Sequence, residues 1–215
     1  MFRGLKSIPR LTSSTHIRLF SQKTVLLEAA KVNYYKIFHN TFPNGPPPAG
    51  SFDVDQRQLR KEFRNLQGQY HPDILNSGDE KVQLDDAEYS SVLNHAYATL
   101  KSPLTRAQYI LKLNANIDIT TDEASKDYQF KDKALLLDIL EIHEELENVS
   151  DDSELAALKI SNDERIQDSI SKLGQLFKDE DYENAAMESI KLKYWFNIDN
   201  AIKECEEGKP VIMTH

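Results

Sequence analysis

Residues Val54–Asp73 read VDQRQLRKEFRNLQGQYHPD and combine a long helical pattern with an abrupt stop. Four apolar side chains recur at intervals of four, three and four residues and predict one buried helix face: Leu59, Phe63, Leu66 and Tyr70. Four basic side chains share another face: Arg57, Arg60, Lys61 and Arg64. Pro72 cannot continue a helix and biases His71 away from the α region, so the helix should end at Tyr70 or His71. An imidazole and a carboxylate, from His71 and Asp73, then lie on a rigid corner beside a positive face, which suggests a surface that contacts an acidic protein.

The tripeptide His71-Pro72-Asp73 also has a simpler interpretation, a helix-ending turn in which Asp73 caps the next element. Its surroundings favour a function. A second helical run, Leu84–Lys101, follows a polar stretch, and the short aromatic segment Tyr34–Phe38 precedes both runs. The basic face, for its part, could be only a solvated side of the helix.

This order of elements resembles the J-domain of DnaJ-type co-chaperones. The helix containing LNHAYATL (Leu93–Leu100) follows the tripeptide as in that domain, and Ser102–Tyr109 resembles its closing helix. The resemblance covers roughly residues 33–113, and the J-domain is predicted to span residues 31–113. The resemblance implies contact with a DnaK-type heat-shock chaperone, whose ATP hydrolysis the domain stimulates. The implied chaperone-binding residues are His71, Pro72, Asp73, Arg60, Lys61 and Arg64.

The composition of this 215-residue chain indicates helices, because Gly and Pro are scarce outside Pro43–Gly50. Its single cysteine, Cys205, excludes an intrachain disulfide and a cysteine-based zinc site, which takes about four Cys or His ligands. We therefore expect no metal and no cofactor. We also expect no membrane span, since no apolar run approaches the roughly 20 residues that a bilayer requires.

The N-terminal segment differs sharply in charge from the rest of the chain. Residues 1–27 hold five basic residues, no acidic residue and many Ser and Thr, which is typical of an organelle transit peptide. Arg18-Leu19-Phe20-Ser21 resembles a matrix-processing site, so residues 1–28 are predicted to target the protein to the mitochondrial matrix. A basic tail that binds nucleic acid is the alternative. The remaining 21 basic and 35 acidic residues make nucleic-acid binding a poor candidate, because phosphates need positive charge.

The chain beyond the J-domain predicts an antiparallel three-helix bundle over residues 131–205. The predicted helices are Lys131–Asn148, Glu154–Phe177 and Tyr182–Glu204, with Ser150 or Ser153 as a cap. Residues 114–130 are polar and are expected to form a linker or to pack between the domains, and residues 206–215 form a tail. Asn44–Gly50 should be a surface loop that lengthens the first J-domain connection. The predicted class is thus all-α, a J-domain followed by a helical bundle.

The first helix of the bundle has more leucines than a core needs. At about 100° per residue, four apolar residues share a narrow sector and are natural core positions: Leu135, Ile139, Ile142 and Leu146. Leu136 and Leu140 point about 100° away, and Leu137 points almost opposite. A second apolar stripe of this kind often binds a partner. It could instead widen the core face or pack under the J-domain.

This helix resembles the C-terminal domain of the HscB family, the specialised J-proteins of iron–sulfur cluster assembly. The likeness continues at Asn162–Asp168 and at Leu192–Asn197. It implies contact with an iron–sulfur cluster scaffold protein through Leu135, Leu136, Leu140, Glu141, Glu145 and Tyr194. Asp138 stands where the fungal-type pattern has a lysine, which changes the charge available for one contact. Tyr194 could also be a core residue only.

An enzyme is not expected, because a catalytic pair needs a nucleophile or metal and a pocket. The chain has no nucleophile motif, phosphate-binding glycine loop or metal-ligand spacing. The leading hypothesis is a binding module that brings a mitochondrial DnaK-type chaperone to the scaffold and promotes cluster transfer. The alternatives are a mitochondrial J-protein for general folding or import clients, and a structural helical adaptor with a degenerate loop.

Overall fold

The computed structural model describes residues 33–70, 80–129 and 133–206, in which all regular structure is α-helical. The helices are α1 (Tyr34–Ile37), α2 (Gln56–Tyr70), α3 (Glu80–Lys101), α4 (Pro103–Ala115), α5 (Asp122–Gln129), α6 (Lys133–Glu147), α7 (Asp152–Lys178) and α8 (Tyr182–Glu206). The predicted all-α class is confirmed. No helix in this part of the chain is long and apolar enough to cross a membrane. The predicted targeting segment, His71-Pro72-Asp73 and residues 207–215 lie outside the described residues.

Helix α2 begins where the sequence offers a cap and ends before the proline. Asp55 Oδ1 accepts hydrogen bonds from the backbone N–H groups of Arg57 (2.8 Å) and Gln58 (3.0 Å), which satisfies the first orphan donors of the helix. The helix ends at Tyr70, as Pro72 predicts. It packs along α3, which in turn contacts α1 and α4. The fully buried core of this region contains Tyr35, Phe38, Leu59, Leu93, Leu100 and Ile110.

The last three helices match the predicted bundle, with one correction at a cap. Helix α7 is capped by Asp151, whose Oδ1 accepts from the N–H groups of Ser153 (2.8 Å) and Glu154 (3.0 Å). The prediction that Ser150 or Ser153 caps this helix was wrong, because the helix begins at Asp152 and the N-cap position therefore falls on Asp151, which is about as good a cap as serine. The Ser150 backbone N–H and hydroxyl instead donate to the Glu154 carboxylate at 2.9 and 3.0 Å.

Residues 114–129, the described part of the predicted linker, pack against the bundle. Helix α4 runs on to Ala115, Asn116 ends it in the left-handed conformation (φ 56°), and α5 contacts α8. Ile119, between the two helices, is buried. This segment therefore packs on the C-terminal helices, and the division of the chain into a J-domain, a linker and a bundle stays a prediction.

Helix α8 lies at the centre of the molecule, since it contacts α4, α5, α6 and α7. A second junction lies beside it. Phe52, just ahead of α2, packs on Phe177 at the end of α7 with ring centroids 5.3 Å apart. The predicted surface loop Asn44–Gly50 belongs to this junction: Pro47 is buried and its carbonyl accepts from Asn114 Nδ2 at 2.9 Å. The turn residues alone could not predict that Pro47 is buried, because its hydrogen-bond partner is far away along the chain.

Candidate protein-docking surfaces

The basic face of α2 is held in position by a buried carboxylate on the opposite side of the helix. Glu62 is 6% exposed and accepts four hydrogen bonds from the segment after α1. The donors are the backbone N–H (3.0 Å) and Nδ2 (3.0 Å) of Asn40 and the N–H (2.8 Å) and hydroxyl (2.6 Å) of Thr41. Phe63 adds a second anchor by stacking on Tyr97 of α3, with centroids 4.0 Å apart. These contacts fix the rotation of α2 and thereby the direction in which its basic face points.

The basic face itself points into solvent. Its members are all exposed, and none has an ion-pair partner within the described residues: Arg57, Arg60, Lys61 and Arg64. Unpaired cations on an otherwise acidic protein create a local positive field that steers an acidic partner. The helix that carries this face ends at Tyr70, directly before the tripeptide His71-Pro72-Asp73, so α2 leads along the chain from the basic residues to the tripeptide. The described residues give no geometry for the tripeptide itself.

Helix α6 separates its leucines as the helical period predicts. The four expected core residues are buried: Leu135, Ile139, Ile142 and Leu146. Leu136 is partly exposed, whereas Leu140 is 55% and Leu137 is 61% exposed. Leu135, predicted as a scaffold-binding residue, is only 3% exposed. In this conformation Leu135 therefore supports the helix from the core, and the apolar surface consists of Leu136, Leu137 and Leu140.

The acidic positions of α6 border this apolar surface. Asp138, Glu141 and Glu145 are exposed, and the described part of the chain records no ion pair for them. They are three and four residues apart and so lie on one side of the helix. Carboxylates with no internal partner are available to a basic group on another protein.

Tyr194 lies on α8, the helix against which α6 packs. Its side chain is partly exposed and contacts the hydrophobic core, and burial raises the pKa of its hydroxyl above the ordinary value. This partial exposure is compatible with both interpretations left open by the sequence, core packing and surface contact. A ring with one apolar side in the core and a polar tip near water suits the edge of an interface.

Reasoning from the sequence missed the role of Glu62, and it named Leu137 only as a residue that points almost opposite to the core. Glu62 positions the basic face, and the available signal was an acid placed directly before Phe63 on the apolar side of the helix. Leu137 forms the most exposed part of the α6 apolar surface. Its exposure could be predicted from the helical period, but no role was assigned to it.

Comparisons with known proteins agree with both halves of this arrangement. The DnaJ domain family matches residues 51–109, and the family described as the HSCB C-terminal oligomerisation domain matches residues 131–203. The mitochondrial J-type co-chaperone JAC1 of Saccharomyces cerevisiae is 43% identical over 182 residues, which cover 85% of this chain and 93% of the relative. The chain belongs to the HscB family of J-type co-chaperones. The family predicted from the sequence is therefore confirmed.

Other members of the HscB family show the same agreement. The mitochondrial co-chaperone jac1 of Schizosaccharomyces pombe is 32% identical over 174 residues, 80% of this chain and 73% of the relative. The solved structure of Jac1 from Saccharomyces cerevisiae (5–182 clone) matches with a TM-score of 0.68 at 41% identity, over 85% of this chain and 97% of that one. HscB from Vibrio cholerae matches with a TM-score of 0.69 at 27% identity, over 82% and 99% of the two chains.

These relatives also bear on localisation and on catalysis. Both fungal relatives are mitochondrial by name, which supports the mitochondrial localisation predicted from residues 1–28. The relatives are co-chaperones by name. The exposed faces of α2 and α6 are accordingly interpreted as binding surfaces.

Proposed function

We propose that this protein works in the mitochondrial matrix, where it stimulates ATP hydrolysis by a DnaK-type heat-shock chaperone and delivers an iron–sulfur cluster scaffold protein to it. The iron–sulfur cluster is then the cargo, and its transfer from the scaffold is promoted by the chaperone cycle. The observation that carries the proposal is that two exposed faces of different chemistry stand on one helical framework. One is the cationic face of α2, and the other is the leucine and carboxylate face of α6.

On the chaperone side, Arg60, Lys61 and Arg64 orient the approach, and the residues His71, Pro72 and Asp73 make the decisive contact. None of these groups needs to break a bond. They act by binding more tightly to one conformation of the chaperone than to the other, because a ligand shifts an equilibrium only through such a difference. The exposed, unpaired state of the α2 cations supports this role, since no internal carboxylate competes for them within the described residues.

On the scaffold side, Leu136 and Leu140 provide apolar contact area. Leu135 packs in the core and fixes the position of the helix. Glu141 and Glu145 offer carboxylates to basic groups at the edge, and Tyr194 adds an aromatic contact from α8. The centre of an interface usually dominates the binding energy. The leucines should therefore determine affinity, and the acids should determine orientation and rate of association.

The chaperone half is tested by measuring steady-state ATP turnover of the purified mitochondrial chaperone with and without this protein. We expect stimulation by the parent and its loss with His71→Gln. Arg60→Gln with Arg64→Gln should require a higher protein concentration for the same stimulation. Lys178→Gln, which removes an exposed cation at the end of α7, is the control and should behave as the parent. Stimulation that is absent, or unchanged by His71→Gln, would contradict the proposal.

The scaffold half is tested by calorimetric binding of the purified scaffold to the parent and to Leu136→Ser with Leu140→Ser. We expect a loss of about a hundredfold or more in affinity, since buried interface anchors each contribute about 2 kcal/mol or more. Unfolding by urea should change little, because Leu140 is exposed and Leu136 is partly exposed. Unchanged affinity would instead favour a co-chaperone for general folding or import clients.

A further inference from the structure

Arg106 of α4 is a buried arginine near the junction between the two halves of the molecule. It is 3% exposed, although arginine is almost never fully buried unless it is paired. Within the described residues no carboxylate forms an ion pair with it, and its Nε has no hydrogen-bond acceptor. Burial lowers the pKa of its guanidinium, and the nearby Tyr35 and Asp53 only partly oppose this. Keeping a cation in such a place costs free energy of folding, so the contacts that it does make are informative.

The Arg106 guanidinium joins three segments of the chain. Its Nη1 donates to the backbone carbonyl of Leu100 at 2.6 Å, which satisfies one of the orphan acceptors at the C-terminal end of α3. Its Cζ lies 4.7 Å from the ring centroid of Phe52, within the range of a cation–π contact. Because Arg106 itself belongs to α4, one side chain fixes α3, α4 and the segment before α2 relative to one another.

Phe52 extends this arrangement to the last three helices. It is 3% exposed, and its ring packs on that of Phe177 in α7 with centroids 5.3 Å apart. Gly174, about one turn earlier on α7, is also close, since a Cβ added there would lie 3.8 Å from the Phe52 Cβ. Phe52 thus contacts both the Arg106 guanidinium and α7, and it links the end of α3 to the second half of the molecule.

A second contact between the halves lies near the other end of α4. Asn114 Nδ2 donates to the Pro47 carbonyl at 2.9 Å and to the Tyr182 hydroxyl, at the start of α8, at 3.4 Å. Arg106 and Asn114 are eight residues apart, which is about 12 Å along a helix. Since the Asn114 contacts alone would leave α4 free to pivot, the Arg106 contacts near its first turn determine its direction.

We propose that Arg106 is a positioning residue, which fixes the angle between the α2–α3 pair with its exposed cations and the last three helices with their exposed leucines. The inference rests on the proposed function for the identity of the two partners. A protein with two binding sites raises the effective concentration of one partner at the other only if its geometry allows both to engage. Arg106 is buried and belongs to neither exposed face, so it contributes this geometry and no contact with either partner.

An apolar side chain of similar length separates positioning from simple stabilisation. Replacing a buried charged group by an apolar residue of similar volume is often neutral or stabilising. Methionine fills such a space with a flexible chain, but it donates no hydrogen bond and makes no cation–π contact. Arg106→Met should therefore unfold in urea at about the parental midpoint, while the directional contacts to Leu100 and Phe52 are lost.

The angle is tested by measuring a distance across the junction with pulsed electron paramagnetic resonance. Spin labels on Ser91→Cys in α3 and Ser171→Cys in α7, both exposed positions, report this distance in the purified protein with Cys205→Ser. We expect Arg106→Met to widen the distance distribution about twofold, since relative motion is the default where the junction between two units is small.

Lys101→Met is the matched control for this measurement. Lys101 Nζ also lies over an aromatic ring, that of Tyr97 at 6.0 Å, but both residues belong to α3 and the contact does not reach α7. This variant should keep the parental distance distribution. Phe52→Leu, which removes the ring that Arg106 contacts, should widen the distribution as Arg106→Met does. The double variant should widen it no further, because the two residues act through one contact.

The consequence for function is measured as ATP turnover of the purified mitochondrial chaperone. Without the scaffold, Arg106→Met should stimulate turnover as the parent does, and in a calorimeter it should bind the scaffold with parental affinity. With all three proteins present, the scaffold concentration needed for half-maximal additional turnover should rise about tenfold, because the gain from simultaneous engagement depends on geometry. Lys101→Met should match the parent in all three measurements.

The outcomes separate this inference from the proposed function. A parental distance distribution in Arg106→Met would overturn the inference, and a lower urea midpoint beside it would assign Arg106 a purely structural role. A wider distribution with parental turnover in the three-protein assay would also overturn it, because the angle would then have no consequence for delivery. If the parent itself neither stimulates the chaperone nor binds the scaffold, the proposed function fails, and the distance measurement still decides whether Arg106 fixes the angle.

Discussion

Helices α2 and α6 are both 15 residues long and both bury one apolar face, yet they expose opposite chemistry. The exposed side of α2 carries four cations, and none of its side chains from Gln56 to Gly68 is an exposed large apolar residue, whereas the exposed side of α6 carries leucines bordered by carboxylates. The difference indicates two modes of binding. A cationic face accelerates and orients encounter but contributes little apolar burial, and an apolar face supplies affinity that persists at high salt.

The two helices also differ in how the fold supports them. Helix α2 is held by Leu59, by the stacking of Phe63 on Tyr97 and by the four hydrogen bonds to Glu62. Helix α6 contacts mainly the central helix α8, so much of its circumference stays accessible. The buried face of α6 already fills the core, so its exposed leucines do not indicate an incomplete core.

The largest expected effect separates the buried leucine of α2 from the exposed leucine of α6. Leu59 is fully buried and Leu140 is 55% exposed. Leu59→Ala should lower the free energy of unfolding by about 2–5 kcal/mol, because it removes buried methyl groups and leaves a cavity. Leu140→Ala should change it by about 0.5 kcal/mol or less. Urea unfolding followed by circular dichroism measures both, and comparable losses would show that Leu140 belongs to the core.

Charge reversal should affect each partner through its own helix only. Arg60→Glu with Arg64→Glu should slow association with the chaperone by about ten- to a hundredfold at low salt, because steering turns into repulsion. Glu141→Lys with Glu145→Lys should slow association with the scaffold and leave the chaperone rate unchanged. Stopped-flow or surface-based kinetics at two salt concentrations measure these rates. A rate that shows no dependence on salt, or variants that affect both partners alike, would remove the distinction between the two faces.

A smaller effect tests whether the exposed C-terminal end of α2 is a regular helix. Gly68 lies within α2, and a Cβ added there would meet no atom within 4 Å. Gly68→Ala should therefore raise the free energy of unfolding by about 1 kcal/mol through helix propensity. Gly45→Ala is the contrasting control and should destabilise, because Gly45 has a φ of +74°. Thermal and urea unfolding of both variants check the signs, and a destabilising Gly68→Ala would mean that the end of α2 is not a regular helix in solution.

The smallest expected effect shows how much a surface ion pair contributes to the free energy of unfolding. Hydrogen bonds from Lys112 and Thr120 lower the pKa of the Asp118 carboxyl from 3.8 to about 2. A lowered folded-state pKa means that the ionised form is stabilised above about pH 4, and that this stabilisation is lost as the pH falls towards 2. Because the side chains of Lys112 and Asp118 are 64% and 36% exposed, solvent screens the pair, and its contribution to folding is about 0.5 kcal/mol or less.

The pKa of the Asp118 carboxyl group is measured by following the chemical shift of its carboxyl carbon by NMR as the pH is changed. In Lys112→Ala its pKa should rise towards the ordinary value, and the free energy of unfolding at neutral pH should fall only slightly. Glu123→Gln, an exposed carboxylate at the start of α5, serves as the control and should leave the Asp118 titration in place. An unaltered Asp118 titration in Lys112→Ala would assign the shift to Thr120 alone.

Local patterns predicted the elements and the two faces well, for reasons that lie within single helices. The period of Leu59, Phe63 and Leu66 and the position of Pro72 predicted α2 and its end. The same period separated Leu135 from Leu140 on α6. Prediction failed where neighbouring groups compete or where a partner is distant, as with Asp151 in place of the serines as a cap and with the burial of Pro47.

The sequence by itself determined the long helices but not α5, and it determined the cationic side of α2, the leucine stripe of α6 and membership of a J-type family. These features follow from residue spacing along one helix or from local motifs. Only the tertiary structure decided how the two halves join. The packing of Phe52 on Phe177, the hydrogen bond from Asn114 to Pro47 and the central place of α8 each bring together residues far apart in the chain. Such contacts depend on which faces meet, and helical periodicity defines the faces but not their partners.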